Sequence, residues 1–262
     1  MCPRGRRLIN GEGGWLASAR IVCHVLLVEA ADGLVLVDTG FGTDDVRNPR
    51  QLTRPFTAAL RPRLQLSETA LSQVRDLGFD PADVRHVVLT HVDVDHAGGL
   101  PDFPEAQIHV FDREREAMLD PPLRERARYR VGAAHWAHGP RWVTHALEGD
   151  EWLGFESVRV LPGSDDEILL IPLPGHSLGH AGIAVRQEQG WLLHCGDAYF
   201  HHDEIRIPAR CPPGLRAFQT LVQANGRLRH QNQERLRELT QRQPGGVELI
   251  CSHDPTELDH TL

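Results

Sequence analysis

The chain has 262 residues, a formal net charge of -8 and no lysine, so every basic side chain is an arginine. That balance, with a pI near 6.0, leaves no surplus cation to neutralise phosphates and argues against nucleic acid as a partner. The arginines between 124 and 130 read as a solvated helix face. The five cysteines are odd in number, widely spaced and without a C-x-x-C pair, which reads as reduced thiols, with Cys195 and Cys251 buried as small apolar groups. No apolar run approaches the ~20 residues of a membrane helix, and MCPRGRRLIN lacks the core of a signal peptide. The expectation is a cytoplasmic protein without a membrane partner, folded as one enzyme-sized domain over 1–262.

Near the start, IVCHVLLVEA and LVLVDTG flank the turn-like Ala31-Asp32-Gly33 and predict a hairpin that ends in Asp38. SETALSQVRDLG predicts a helix capped by Ser67 and ended by Gly78. VRHVVLTH is a β-branched strand that delivers His91, QIHVF a further strand, and REREAMLD a short helix. From about 112 to 145, helix-like LRERARYRV and then HWAHGPRW lie between two β-rich parts, as a lid insertion would. SVRVLP, EILLIPLP, AGIAVRQ and WLLHCGD are spaced as an antiparallel meander. NQERLRELTQR predicts an amphipathic helix, and VELICSH a strand that places His253. This order fits one α/β domain with two sheets between helices.

The chemistry concentrates at strand ends. THVDVDHAGG puts His91, Asp93, Asp95 and His96 within six residues of a loop leaving a strand, where imidazoles and carboxylates can turn toward one metal ion. Calcium fits poorly, since it avoids imidazole. PLPGHSLGH then supplies His176 and His180, WLLHCGD supplies Asp197, and CSHDP supplies His253, each after an apolar run.

The D-T-G at 38–40, T-H-x-x-x-D-H-x-G-G at 90–99, P-G-H-S-x-G-H at 174–180, G-D at 196–197 and S-H-D at 252–254 occur together in one order. In that set the chain resembles the metallo-β-lactamase superfamily across nearly its whole length, closest to lactonase-like and glyoxalase II-like hydrolases. The resemblance implies an αββα sandwich with a dinuclear site at one edge of two mixed sheets. One metal would take His91, Asp93 and His176, the other Asp95, His96 and His253, with Asp197 bridging. It also implies hydrolysis of an ester-like bond in a small-molecule substrate (a lactone, carboxylic ester or thioester) by a hydroxide held between two divalent ions, with Asp95 also handling a proton. A homodimer is compatible with it.

Asp93 departs from the family's usual histidine. As a ligand it adds a negative charge, weakens the site as a Lewis acid and shifts its preference from zinc toward manganese or iron; alternatively it turns away and leaves the first position weak. A carboxylate here also suits a di-iron redox centre, as in flavodiiron members of the superfamily, and a weakened site suits a non-catalytic ligand-binding protein.

Among the remaining residues, Asp38 either fixes the tautomer of a ligand histidine or simply makes a turn. His180 is expected to shape the loop around His176, and Tyr199 either donates to a substrate oxyanion or packs in a strand. Of His201 and His202 at most one should face the pocket on extended chain. Trp136, His138 and Trp142 either line a lid or form a small core of their own.

Overall fold

The structure is a computed structural model that describes residues 1–123, 125–161, 167–243 and 246–261. Arg124 of the basic run and Pro162, which ends SVRVLP, lie outside the described residues. The first sheet contains β1 (Leu26–Ala30), β2 (Gly33–Val37), β3 (Val84–Val88), β4 (Gln107–Phe111) and β5 (Arg141–His145), in that spatial order. β1 and β2 form the expected hairpin, and β2 through β5 run parallel. The second sheet runs β11-β10-β9-β8-β7-β6, with β6 (Asp150–Trp152), β7 (Phe155–Arg159), β8 (Ile168–Pro172), β9 (Ala181–Arg186), β10 (Trp191–His194) and β11 (Val247–Ile250). β6 through β10 form an antiparallel meander, and β11 returns parallel to β10.

Strand alternation explains the layering, because successive side chains point to opposite faces. In β2, Val35 and Val37 join Val88, Ile168, Leu170 and Ile183 in the core between the sheets. Leu34 and Leu36 face the other way, into a cluster with Val74 and Leu100 beneath the helical segments. In β8, Leu169 and Ile171 likewise turn outward to meet Leu236 and Leu239 of the helix Gly226–Arg242. Two apolar faces per sheet demand a cover on each side, so the fold is an αββα sandwich.

Local differences from the sequence reading have physical causes. The first predicted strand begins at Leu26 rather than Ile21, because Val22 and His24 bond instead to the turn after β11. The helix near residue 70 starts at Ala70 and is capped by Thr69, whose hydroxyl accepts from Ser72 N; Ser67 sits in the preceding 3₁₀ turn. Gly78, at φ 89°, follows its end. The segment 112–145 is not one separate insertion. Its helix Asp112–Leu119 packs beside β4, and β5 completes the first sheet, with Trp142 and Trp136 against the core under it. Among its described residues, Glu125, Arg128 and Val131, at and in the helix Arg126–Gly132, reach the pocket beside His176 and Asp197.

Candidate metal centre

Four loops at one edge of the sandwich deliver the polar residues, following β3, β8, β10 and β11. After β3 the chain places the buried His91, then turns into the short helix Val94–Ala97, which carries Asp95 and His96. Gly99 lets this turn close on Thr39: a Cβ there would meet the Thr39 side chain at 2.9 Å. Gly196, at φ 54°, bends the chain out of β10 toward Asp197, and a Cβ there would strike His180 Nε2 at 2.5 Å.

The seven expected ligands converge. Asp197 Oδ2 lies 3.9 Å from His91 Nε2 and 3.4 Å from His176 Nε2, while its Oδ1 lies 3.4 Å from His96 Nε2 and 3.1 Å from His253 Nε2. One carboxylate thus faces two pairs of imidazoles, as a bridging group must. Asp93 turns inward: its Oδ2 is 3.1 Å from His176 Nε2 and 3.5 Å from His91 Nε2. Asp95 Oδ2 is 3.6 Å from His253 Nε2, and its Oδ1 is 4.0 Å from His96 Nε2.

The backs of three of the four rings, those of His96, His91 and His253, are anchored. His96 Nδ1 donates to Asp38 Oδ2 at 2.8 Å. Thr90 donates to the same carboxylate from its hydroxyl and its backbone, each at 2.8 Å, so its oxygen is free to accept from His91 Nδ1 at 3.0 Å. His253 Nδ1 donates to Val22 O at 2.8 Å. These contacts place the protons on Nδ1 and aim the Nε2 lone pairs inward. Asp38 therefore fulfils both readings, since it also holds the turn at φ 57°. His180 faces Leu173 O and accepts from Asp197 N at 2.8 Å, which positions the Asp197 carboxylate.

The residues fit a cation on a direct observation. Nε2 of His91, Nε2 of His96 and Oδ1 of Asp197 are buried and make no hydrogen bond among the described residues. Leaving such atoms unmet costs about 1–3 kcal/mol each, a deficit that metal coordination removes. Ligand atoms group as His91, Asp93, His176; as His91, His96, Asp197; and as Cys23, Asp95, His253, each within 4.8 Å.

Electrostatics point the same way. Burial pushes Asp197 up, but His253, His96 and His176 outweigh it and hold the carboxyl well below the usual range. Burial also opposes charge on His96, yet Asp197, Asp38 and Asp95 raise it to about 10. In His176 burial prevails and lowers the ring to about 4. An acidic cage that draws a proton onto His96 is one in which a divalent ion can replace that proton.

Sequence reasoning missed Arg128. Its Nε ion-pairs with Asp93 Oδ1 at 3.1 Å, its Nη1 donates to His176 O at 2.8 Å, and its Nη2 donates to Val222 O. Burial raises Asp93, but this guanidinium and the adjacent His176 and His91 rings hold it well below the carboxylate range. The negative charge of Asp93 is thus compensated from the helix Arg126–Gly132. Glu114 was also unforeseen: it accepts from Ser177 Oγ at 2.7 Å, Gly179 N at 3.0 Å and Val92 N at 3.3 Å, tying the His91 and His176 loops together.

Other expectations are corrected. Tyr199 is buried in the core of the second sheet and donates to Glu257 at 3.0 Å, so it faces away from the ligands. Phe200 packs on His176 and His253 instead, because the chain bends after Asp197 and breaks strand alternation. Neither His201 nor His202 lines the pocket above the ligands, in keeping with the expectation that at most one would; both border a neighbouring cavity of about 530 Å³, where the 3₁₀ turn His202–Ile205 replaces extended chain. Trp136, His138 and Trp142 do not line the pocket above the ligands. That pocket, about 370 Å³, has Asp93, Asp95, His176, Asp197 and His253 at its base and apolar walls that include Phe56, Leu60, Val131, Phe200, Phe218 and Leu221.

The model of the metallo-beta-lactamase superfamily matches residues 19–252. The chain belongs to that superfamily. Among its superfamily relatives is a protein of Mycobacterium tuberculosis named "Probable metallo-hydrolase Rv2300c", 46% identical over 236 residues, which span 90% of this chain and 75% of the relative. The N-acyl homoserine lactonase AttM of Azorhizobium caulinodans is 26% identical over 253 residues, 95% of this chain and 87% of that one. In fold, the chain is similar to a solved mutant of Bacillus thuringiensis AiiA with N-decanoyl-L-homoserine bound at its active site, with a TM-score of 0.68 at 20% identity, covering 99% of this chain and 92% of that one. Metal-dependent hydrolysis is the function class that this superfamily membership supports.

Proposed function

We propose that the protein is a dinuclear metal-dependent hydrolase that opens an ester-like bond, with a lactone carrying an apolar acyl chain as the favoured substrate. The observation that carries this is the convergence of His91, Asp93, His176, Asp95, His96, His253 and Asp197 beneath an apolar pocket. His91, Asp93 and His176 would hold one divalent ion, Asp95, His96 and His253 the other, and Asp197 both. Ions held there supply Lewis acidity toward a carbonyl oxygen and an activated water.

The remaining steps belong to the chain itself. Phe56, Leu60, Phe218 and Leu221 take the acyl group out of water, at about 25 cal/mol per Å² of apolar surface covered. Asp95 stands at the pocket floor, where its free lone pairs can receive the proton released as water adds to the carbonyl. Arg128 holds Asp93 and the His176 loop in place and borders the same pocket. The helix Arg126–Gly132, which carries Arg128 and Val131 to the pocket wall, serves as the cover of the site.

The test is a panel of lactones, esters and thioesters of graded acyl length, run on metal-loaded, chelator-stripped and reloaded protein. The expected result is hydrolysis that is lost on stripping, regained on reloading and improved by a longer acyl chain. No turnover in the loaded protein, or identical turnover in the stripped protein, overturns the proposal.

A further inference from the structure

The third ligand group contains a residue outside the family-like set. Cys23 lies on the segment between the N-terminal turns and β1, and its thiol belongs with Asp95 and His253 to a group whose ligand atoms all lie within 4.8 Å. Two observations independent of the thiol point to a cation here. Asp197 Oδ1, in a residue only 3% exposed, has no hydrogen bond among the described residues and lies 3.1 Å from His253 Nε2. Nε2 of His96, 1% exposed, is likewise unpartnered and faces the same oxygen at 3.4 Å.

The backbone around Cys23 is fixed to the ligand loop rather than merely near it. His24 N donates to Ser252 O at 2.9 Å, Val22 N donates to His253 O at 3.4 Å, and Val22 O accepts from His253 Nδ1 at 2.8 Å. Cys23 is thus strapped on both sides to the turn that presents His253. This strap is also why the first strand starts late, at Leu26.

We infer that Cys23 is a thiolate ligand of the second metal position, alongside Asp95, His96 and His253, and this rests on the dinuclear reading above. On binding, the thiol gives its proton to solvent and the sulfur lone pair forms the metal bond, with no change of oxidation state. The consequence is chemical asymmetry within one centre. The first position offers imidazole and carboxylate only, which suits manganese or iron, whereas a soft thiolate draws the second toward zinc.

The experiment is X-ray absorption at the zinc edge of zinc-loaded protein, with the near-ultraviolet spectrum of the cobalt-substituted form. Expected is a sulfur scatterer at about 2.3 Å, beside nitrogen and oxygen at about 2.0–2.2 Å, and a thiolate-to-cobalt charge-transfer band. Both should vanish in Cys23→Ser while that variant still takes up metal. Peptide-resolved alkylation gives a readout on the unaltered chain: Cys23 should be protected when metal is bound and modified after stripping. A metal-loaded protein with nitrogen and oxygen scatterers only overturns the Cys23 assignment and leaves the hydrolase reading standing. A sulfur signal that survives Cys23→Ser overturns it also, since another thiol is then the source. Protein that takes up no metal overturns both. If Cys23→Ser fails to fold, the scatterer set and the alkylation pattern of the unaltered chain still decide.

Discussion

Two of the buried histidine clusters among the described residues differ in what their ring nitrogens meet. In the first sheet, His86 Nε2 meets Asp32 Oδ2 at 3.0 Å, His86 Nδ1 meets His109 Nε2 at 2.9 Å, and His109 Nδ1 meets His145 Nε2 at 3.0 Å. Both nitrogens of His86 and both of His109 are used, so this ladder is a satisfied polar network across β3, β4 and β5. At the sheet edge, by contrast, His91 and His96 keep Nε2 unpartnered among the described residues, in a cage of carboxylates. Burial of imidazole is common to both clusters; the unmet lone pairs and surrounding negative charge are what separate a metal centre from a structural ladder.

The comparison is broken most severely at the shared carboxylate. Asp197→Asn should reduce metal affinity at both positions, and hydrolysis with it, by more than the about 10–100-fold that a supporting residue costs. Equilibrium dialysis and turnover measure this. Asp38→Ala should fall within that ~10–100-fold range, because His96 keeps its place but loses the anchor that orients it. Its loss should be concentrated at the second position, which titration with a metal indicator reads as one weakened step.

Arg128→Met separates stability from binding. Removing one partner of a buried ion pair costs about 3–5 kcal/mol when the other charge is left uncompensated. In stripped protein Asp93 is left in that condition; in loaded protein a cation remains to satisfy it. The variant should therefore lose far more denaturant resistance stripped than loaded. Equal losses in both states would separate Asp93 from the metal.

The smallest functional effect is expected from the ladder. His109→Gln should leave metal stoichiometry and hydrolysis unchanged while altering the acid limb of stability. Burial, reinforced by His145 and His86, lowers His109 to about 3. The unfolded chain binds a proton near pH 6.5, where the folded chain refuses it, so this residue costs stability as the pH falls from about 6.5 toward about 3. Urea unfolding of stripped protein should show the variant losing less stability across that window than the parent.

The two clusters also differ in how far the sequence reveals them. The candidate ligands are legible because their loops follow apolar runs, and strand ends of one sandwich edge are brought together by the fold itself. The sheets are legible for a related reason: β2 and β8 carry apolar residues on both faces and must be covered twice. Arg128 is not legible, because it reaches Asp93 from a helix whose direction depends on tertiary packing rather than on its own periodicity. Tyr199 is displaced by one residue from the role that alternation suggests, since past Asp197 the chain bends and presents Phe200. Cys23 is hidden inside an apolar run that reads as strand, and only the bonds of Val22 and His24 to the β11 turn show that it leaves the sheet.

The central claim, that the edge cluster and not the ladder holds two ions, is tested most directly by metal stoichiometry. Stripped protein is dialysed against zinc or manganese and analysed by elemental mass spectrometry, as the parent chain, as His253→Ala and as His109→Gln. The account expects two ions in the parent, a weakened or missing second ion in His253→Ala, and two again in His109→Gln. Two ions retained in His253→Ala with loss in His109→Gln, or none in the parent, would contradict it.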